Sequence, residues 1–305
     1  MIFYWLVYWF MFPTCVGIVA SAVLLGIDGT AIFTPFMILL FPLLRVSPIP
    51  ASIAVSVGLV TEFFGFLSGI VGYRKKNLID FRVGWSLVTV GVPVIVVFSI
   101  IAQSVSDLLL KLVFGAMMVS MAIYLIATAK SAVRNPNVEK LPQSVLSISG
   151  LHESPKETRI TSRSGKEFRY HVCDRRRSIL ISGIGSALEG MLSVGLGELL
   201  MPDLVRRCKI PVAVSAATSV FVMTVVVRAG SVTGFTAIIL RQGATVIPWN
   251  LLIFTIPAAV IGGQVGARLQ GRLSSSKTER LIALLFVIIG AAFLYGSLPN
   301  LLSKL

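Results

Sequence analysis

From Val83 to Ala102 the chain runs for twenty residues without one charge, "VGWSLVTVGVPVIVVFSIIA". At 1.5 Å per residue, a helix of that length crosses the roughly 30 Å of bilayer hydrocarbon. Similar apolar runs recur along the chain with short polar gaps between them. They predict ten helical segments, at about 2–26, 30–45, 50–73, 82–102, 107–130, 178–193, 198–207, 211–238, 248–268 and 279–297. Backbone N–H and C=O groups find no water in hydrocarbon, so such a chain folds as a helical bundle. Composition agrees. Charged residues make up 13%, where a soluble domain carries about 25%. The expected fold class is an all-α polytopic membrane protein.

The net charge of +14 invites a nucleic-acid partner, but the basic residues sit in the gaps between apolar runs, where membrane topology puts them. With the polar stretch 131–177 placed in the cytoplasm, the inside loops 74–82, 130–177, 206–209 and 268–280 hold 22 of the 27 Lys and Arg residues. Arg45, Lys111, Arg241 and Lys304 fall outside, and Arg228 falls within a span. The expected location is therefore a cytoplasmic (inner) membrane with both termini outside. No Lys or Arg precedes the first apolar run, which reads as a retained helix rather than a cleaved signal. Cys15, Cys173 and Cys208 are odd in number and lack metal-ligand spacing, so no disulfide framework is implied. His152 and His171 both lie in the polar stretch, and the spans hold no metal cluster and no catalytic motif. An enzyme ranks below a transporter or a channel, and no cofactor is expected.

Two places interrupt the spans in the same way. "LGIDGTAIFTP" (25–35) and "SVGLGELLMP" (193–202) each put glycines and an acid before a helix too short to cross. Each short helix is followed by a second proline, Pro50 or Pro211, that opens a long helix, and "IPASIAVSV" answers "IPVAVSAATSV". Five segments lie on either side of 131–177. An odd number per half forces opposite insertion, which predicts two inverted five-helix repeats, 1–130 and 178–305. The stretch 131–177 joins them as a polar linker, with a hairpin signal in the alternation around Ser164-Gly165.

A short helix that starts at a break and ends at a membrane face begins near mid-depth. Two helix N-termini then converge at the midplane, each with about half a positive charge and free N–H groups. The candidate anion-binding residues are Gly26, Asp28, Gly29 and Thr30 at the first break, and Gly195, Gly197 and Glu198 at the second. Ser56, Thr218 and Ser219 on the long helices supply hydroxyls, unless they only bond back to a carbonyl one turn away. Arg228 suits an oxyanion bidentately, or it snorkels to the interface. Glu198 caps its helix equally well. Glu62 and Glu189, in mid-span, are candidate proton carriers or structural partners for Arg228.

The glycine-rich break, short helix and proline, followed by Pro211 and Ala217-Thr218-Ser219, resemble the sulfite exporter TauE/SafE (TSUP) family over nearly the whole chain except 131–177. The first half departs from the pattern, with Gly26, Asp28 and Gly29 at its break and Val55-Ser56 where the second half has Thr218-Ser219. The resemblance implies a secondary transporter that moves sulfite, thiosulfate, sulfonates or related small anions, coupled to protons. An anion channel and a small-carboxylate transporter are the alternatives. The expected partners are a small anion, the lipid bilayer and protons, with a homodimer compatible and no nucleic acid.

Overall fold

The computed structural model describes residues 7–133, 157–163, 165, 167–171, 175–270, 284 and 286–295. The helices, in chain order, are α1 (Met11–Leu25), α2 (Thr30–Leu43), α3 (Ala51–Lys76), α4 (Phe81–Ala102) and α5 (Asp107–Val133), then α6 (Arg175–Leu192), α7 (Leu196–Pro202), α8 (Val212–Gln242), α9 (Trp249–Leu269) and α10 (Phe286–Tyr295). Strands β1 (Glu157–Thr161) and β2 (Glu167–His171) pair antiparallel between α5 and α6. Helices α3, α4, α8 and α9 are each long and apolar enough to cross a membrane. The chain is an all-α polytopic membrane protein. The predicted start at residue 2, the segment 279–283, residues 296–297, Cys173 and His152 lie outside the described residues.

Proline punctuates both breaks. Pro35 and Pro202 have no N–H to give the preceding turn. In each case the helix widens at the next residue into a π-turn, Phe36–Leu40 after Pro35 and Asp203–Arg207 after Pro202. Each widened helix then ends at a non-glycine residue with positive φ, Arg45 (58°) or Lys209 (51°). Pro50 and Pro211 follow, extended, as the residues before α3 and α8.

Helices α3 and α8 pack on one another, α9 lies along α1 and α3, α4 lies on α8, and α6 lies on α4. Small residues permit the closest approach. A Cβ on Gly263 of α9 would overlap the Gly65 carbonyl of α3, and one on Gly262 would lie 2.7 Å from the Val16 carbonyl of α1. Close backbone packing of this kind replaces the hydrophobic effect, which is weak between helices in lipid.

Cys208 is disulfide-bonded, although the cysteine count implied no disulfide framework. An odd cysteine count leaves one thiol over and does not forbid one pair. Cys15, buried, is free.

The two ends of the bundle differ. At one end the α3–α4 turn carries the hairpin: Arg163 N–H and Ser162 Oγ donate to Lys76 O at 3.1 and 3.2 Å, and Asn77 Nδ2 donates to Thr161 O at 2.7 Å. At the other, Ser47–Pro50 and Thr245–Asn250 enclose a cavity of about 350 Å³ together with Tyr8 and Ile53.

Candidate functional site

Glu62 lies 11 residues into α3, about 16 Å from its start, which is mid-depth for a spanning helix. Its carboxylate turns to the first break. Gly29 N–H donates to Glu62 Oε1 at 2.6 Å, Thr30 N–H to the same oxygen at 3.4 Å, and Thr30 Oγ1 to Oε2 at 3.0 Å. The start of α2, where N–H groups have no helical acceptor, is thus filled by a side chain more than thirty residues away.

The second break is filled from the first. Gly195 and Gly197 N–H groups donate to Asp28 Oδ2 at 2.8 and 3.0 Å. Glu198 Oε2 accepts from Gly195 N–H at 3.2 Å, as an acid at the third position of a helix does. Glu189 Oε2, from the end of α6, reaches Leu196 N–H at 3.4 Å. Asp28 therefore belongs to one break in sequence and serves the other in space. The backbones touch as well, since a Cβ on Gly197 would lie 2.8 Å from Ile27 Cα and 2.9 Å from Asp28 N. Gly195 has φ of 128°, a conformation open to glycine at little cost.

These four acids form one cluster. Asp28, Glu62 and Glu189 each place an oxygen within 4.8 Å of the others. All four are buried, with exposures of 0–3%. Asp28 Oδ1, Glu189 Oε1 and Glu198 Oε1 find no donor among the described residues, nor does any described cation pair with the four. Buried carboxylates without a counterion are expensive. The arrangement has the chemistry to hold protons or a small cation between its oxygens. A cavity of about 10 Å³ beside Glu62, walled by Gly29, Thr30, Gly58 and Thr61 among others, is close to the least space a water needs.

Not every expected residue joins the cluster. Ser219 Oγ donates to Gly26 O at 2.9 Å and so ties α8 to the first break, where Gly26 closes α1 with φ of 71°. Thr218 Oγ1 instead accepts from Asp80 N–H at 3.0 Å. Ser56 bonds Ser52 O and Gln103 Nε2, both at 3.1 Å, where α3 crosses α8 at Gly234. Arg228 is exposed while its neighbours Val226 and Val227 are fully buried, and it takes no part in the bonds of the cluster. Sequence reasoning missed Thr34 and Ser193, whose hydroxyls meet at 2.9 Å across the two breaks, and Asp80. Asp80 precedes an apolar run and caps α4 through Oδ1, which accepts from Arg82 and Val83 N–H, a start signal that could have been read.

The chain matches the family described as sulfite exporter TauE/SafE over residues 11–293. It belongs to the sulfite exporter TauE/SafE family. The family match spans both breaks, the cluster and the hairpin. The chain is also 20% identical over 289 residues to the "Probable membrane transporter protein YunE" of Bacillus subtilis (strain 168), covering 94% of this chain and 97% of that protein. No solved structure matches. As a TauE/SafE family member the chain is a multi-pass membrane transporter and not an enzyme, with a small-molecule substrate and the lipid bilayer as its partners.

Proposed function

We propose that the protein is a proton-coupled secondary transporter of a small sulfur-containing anion, sulfite, thiosulfate or a sulfonate, working by alternating access around the carboxylate cluster. Its framework is two inverted five-helix repeats, 1–130 and 178–305, joined by 131–177. The hairpin end faces the cytoplasm of a cell whose inner membrane holds the protein, and both termini lie outside.

The observation that carries this reading is the occupancy of the two helix starts. The amides best placed for an oxyanion, at Gly29, Thr30, Gly195 and Gly197, are held by Glu62 and Asp28. A carboxylate on these N–H groups is an anion in place of an anion. Protonation removes its charge and weakens the charge-assisted bonds, so the substrate takes over the amides as the acid takes up a proton. Anion and proton then cross together. Glu189 and Glu198, with their unpartnered oxygens, pass protons to and from the displaced groups. Ser219 keeps the first break on α8. The burial of all four acids, at exposures of 0–3%, favours a carrier over an open anion channel.

One observation favours a second substrate class. The groups now seated on the amides are carboxylates, so a small carboxylate fits them without change of shape.

The test is uptake into proteoliposomes under an imposed proton gradient, with radiolabelled sulfite, thiosulfate, a small sulfonate and a small carboxylate. Saturable uptake that stops when a protonophore collapses the gradient is expected for one of them. Uptake of every tested anion that ignores the gradient would refute coupling.

A further inference from the structure

The hairpin does more than join two halves. Its strands alternate: Phe168 and Tyr170 are buried at 9% and 4% exposure, with Ile160, the pairing partner of Phe168, part-buried, while Thr161 and Glu167 are exposed. Phe168 and Tyr170 belong to the same apolar core as α3 and α8. A two-stranded hairpin alone is marginally stable, so this one is held by what it docks on.

The docking converges on Asp80. Tyr170 OH donates to Asp80 Oδ2 at 2.6 Å in a buried contact. Asp80 Oδ1 caps α4, and Asp80 N–H donates to Thr218 of α8. The next residue on α8, Ser219, is bonded to Gly26 at the first break. One short path of polar contacts thus runs from the hairpin, through the α3–α4 turn, to α8, which ties down the first break. On the same turn Lys76 Nζ donates to Ala267 O of α9 at 2.7 Å. The turn of the first half is fastened to α8 and α9 of the second, and the hairpin is bonded to that same turn at Lys76, Asn77 and Asp80.

We propose that the hairpin is a releasable clasp, with Tyr170–Asp80 as its catch, that holds the two halves together at this end and must undock for the site to open there. The inference rests on the alternating-access reading, because only a carrier whose halves part at this end needs such a release. Tyr170→Phe keeps the ring and its packing and removes only the hydroxyl. A buried hydrogen bond to a charged group shifts an equilibrium by about tenfold or more.

The experiment reads opening without transport. Ser215, fully buried near the start of α8, is replaced by Cys, and its alkylation by a membrane-impermeant maleimide from the hairpin side is timed in full-length protein in liposomes. The unmodified chain gives the background from the native cysteines. Ser215→Cys alone should label slowly, and Ser215→Cys with Tyr170→Phe about tenfold faster. Equal rates would overturn the clasp, whether or not any anion is transported. In a second arm, Asn77→Cys with Thr161→Cys joins the hairpin to the turn under oxidation. Oxidation should abolish gradient-driven uptake and a reductant should restore it. Full uptake with the hairpin crosslinked would overturn the clasp while leaving the transporter reading intact, and both arms failing in a chain with no gradient-driven uptake would count against the carrier itself.

Discussion

Glu62→Gln separates a carboxylate that caps a helix from one that exchanges with substrate. Glutamine is isosteric and keeps one carbonyl oxygen for Gly29 and Thr30 N–H, now at 2.6 and 3.4 Å from Oε1. Its amide nitrogen faces Thr30 Oγ1, a hydroxyl that can turn from donor to acceptor. The loss is the extra strength of charge-assisted over neutral hydrogen bonds, about 1–2 kcal/mol, partly offset because a charge no longer has to be buried at this depth. The fold should therefore survive. Coupling should not. If each helix start exchanges one carboxylate for one substrate oxygen with uptake of a proton, two protons accompany the anion, and affinity falls about a hundredfold per pH unit above the titration range. Each proton contributes a factor of ten, about 1.4 kcal/mol. Glu62→Gln removes one, so the slope of log Kd against pH should fall by about one. Calorimetric titration of the detergent-solubilised protein with the transported anion, from pH 5.5 to 8.5, measures that slope. An unchanged slope in a folded Glu62→Gln protein would refute the exchange and leave Glu62 as a cap.

Asp28→Asn should abolish gradient-driven uptake into proteoliposomes, since Asp28 Oδ2 accepts from both Gly195 and Gly197 N–H at the second helix start, where Glu198 and Glu189 take the other bonds. Gly197→Ala should abolish substrate binding, because its Cβ meets backbone of the first break at 2.8–2.9 Å that cannot swing away; Gly17→Ala, with nothing within 4 Å, is the control that should bind normally by calorimetry. Ser219→Ala loses the bond to Gly26 O and should cost about 1 kcal/mol of thermal stability, read as a lower melting temperature in detergent. The Tyr170 hydroxyl is held above its usual pKa by burial and then by the Asp80 carboxylate. A group raised on folding stabilises below its free value of about 10 and loses that contribution as pH climbs past it. Protection of residues 157–171 from proteolysis should therefore hold from pH 6 to 9 and fail only in stronger alkali.

The spans were legible because an uncharged run of twenty residues has few alternatives to a helix in lipid. The breaks were legible because glycine, an acid and proline together contradict such a run. Periodicity could not say which way a side chain faces. Arg228 looked central as a cation within an apolar helix, yet it is exposed beside the buried Val226 and Val227, and a helix that is apolar all round gives no stripe from which to read a face. Nor could local pattern find partners distant in sequence. Glu62 stands 33 residues from Gly29 and Asp28 stands 167 from Gly195, and these pairings follow from how the breaks abut rather than from spacing along the chain. The same blindness hid the sign of the site. Two positive helix ends at mid-depth read as an attractive field for an anion, whereas the fold brings four acids there with no described cation. On the proposed reading, a site so built attracts an anion only after its own carboxylates have been neutralised and moved aside. Under that proposal proton coupling is a condition of binding at all, rather than a refinement added to a ready-made anion site.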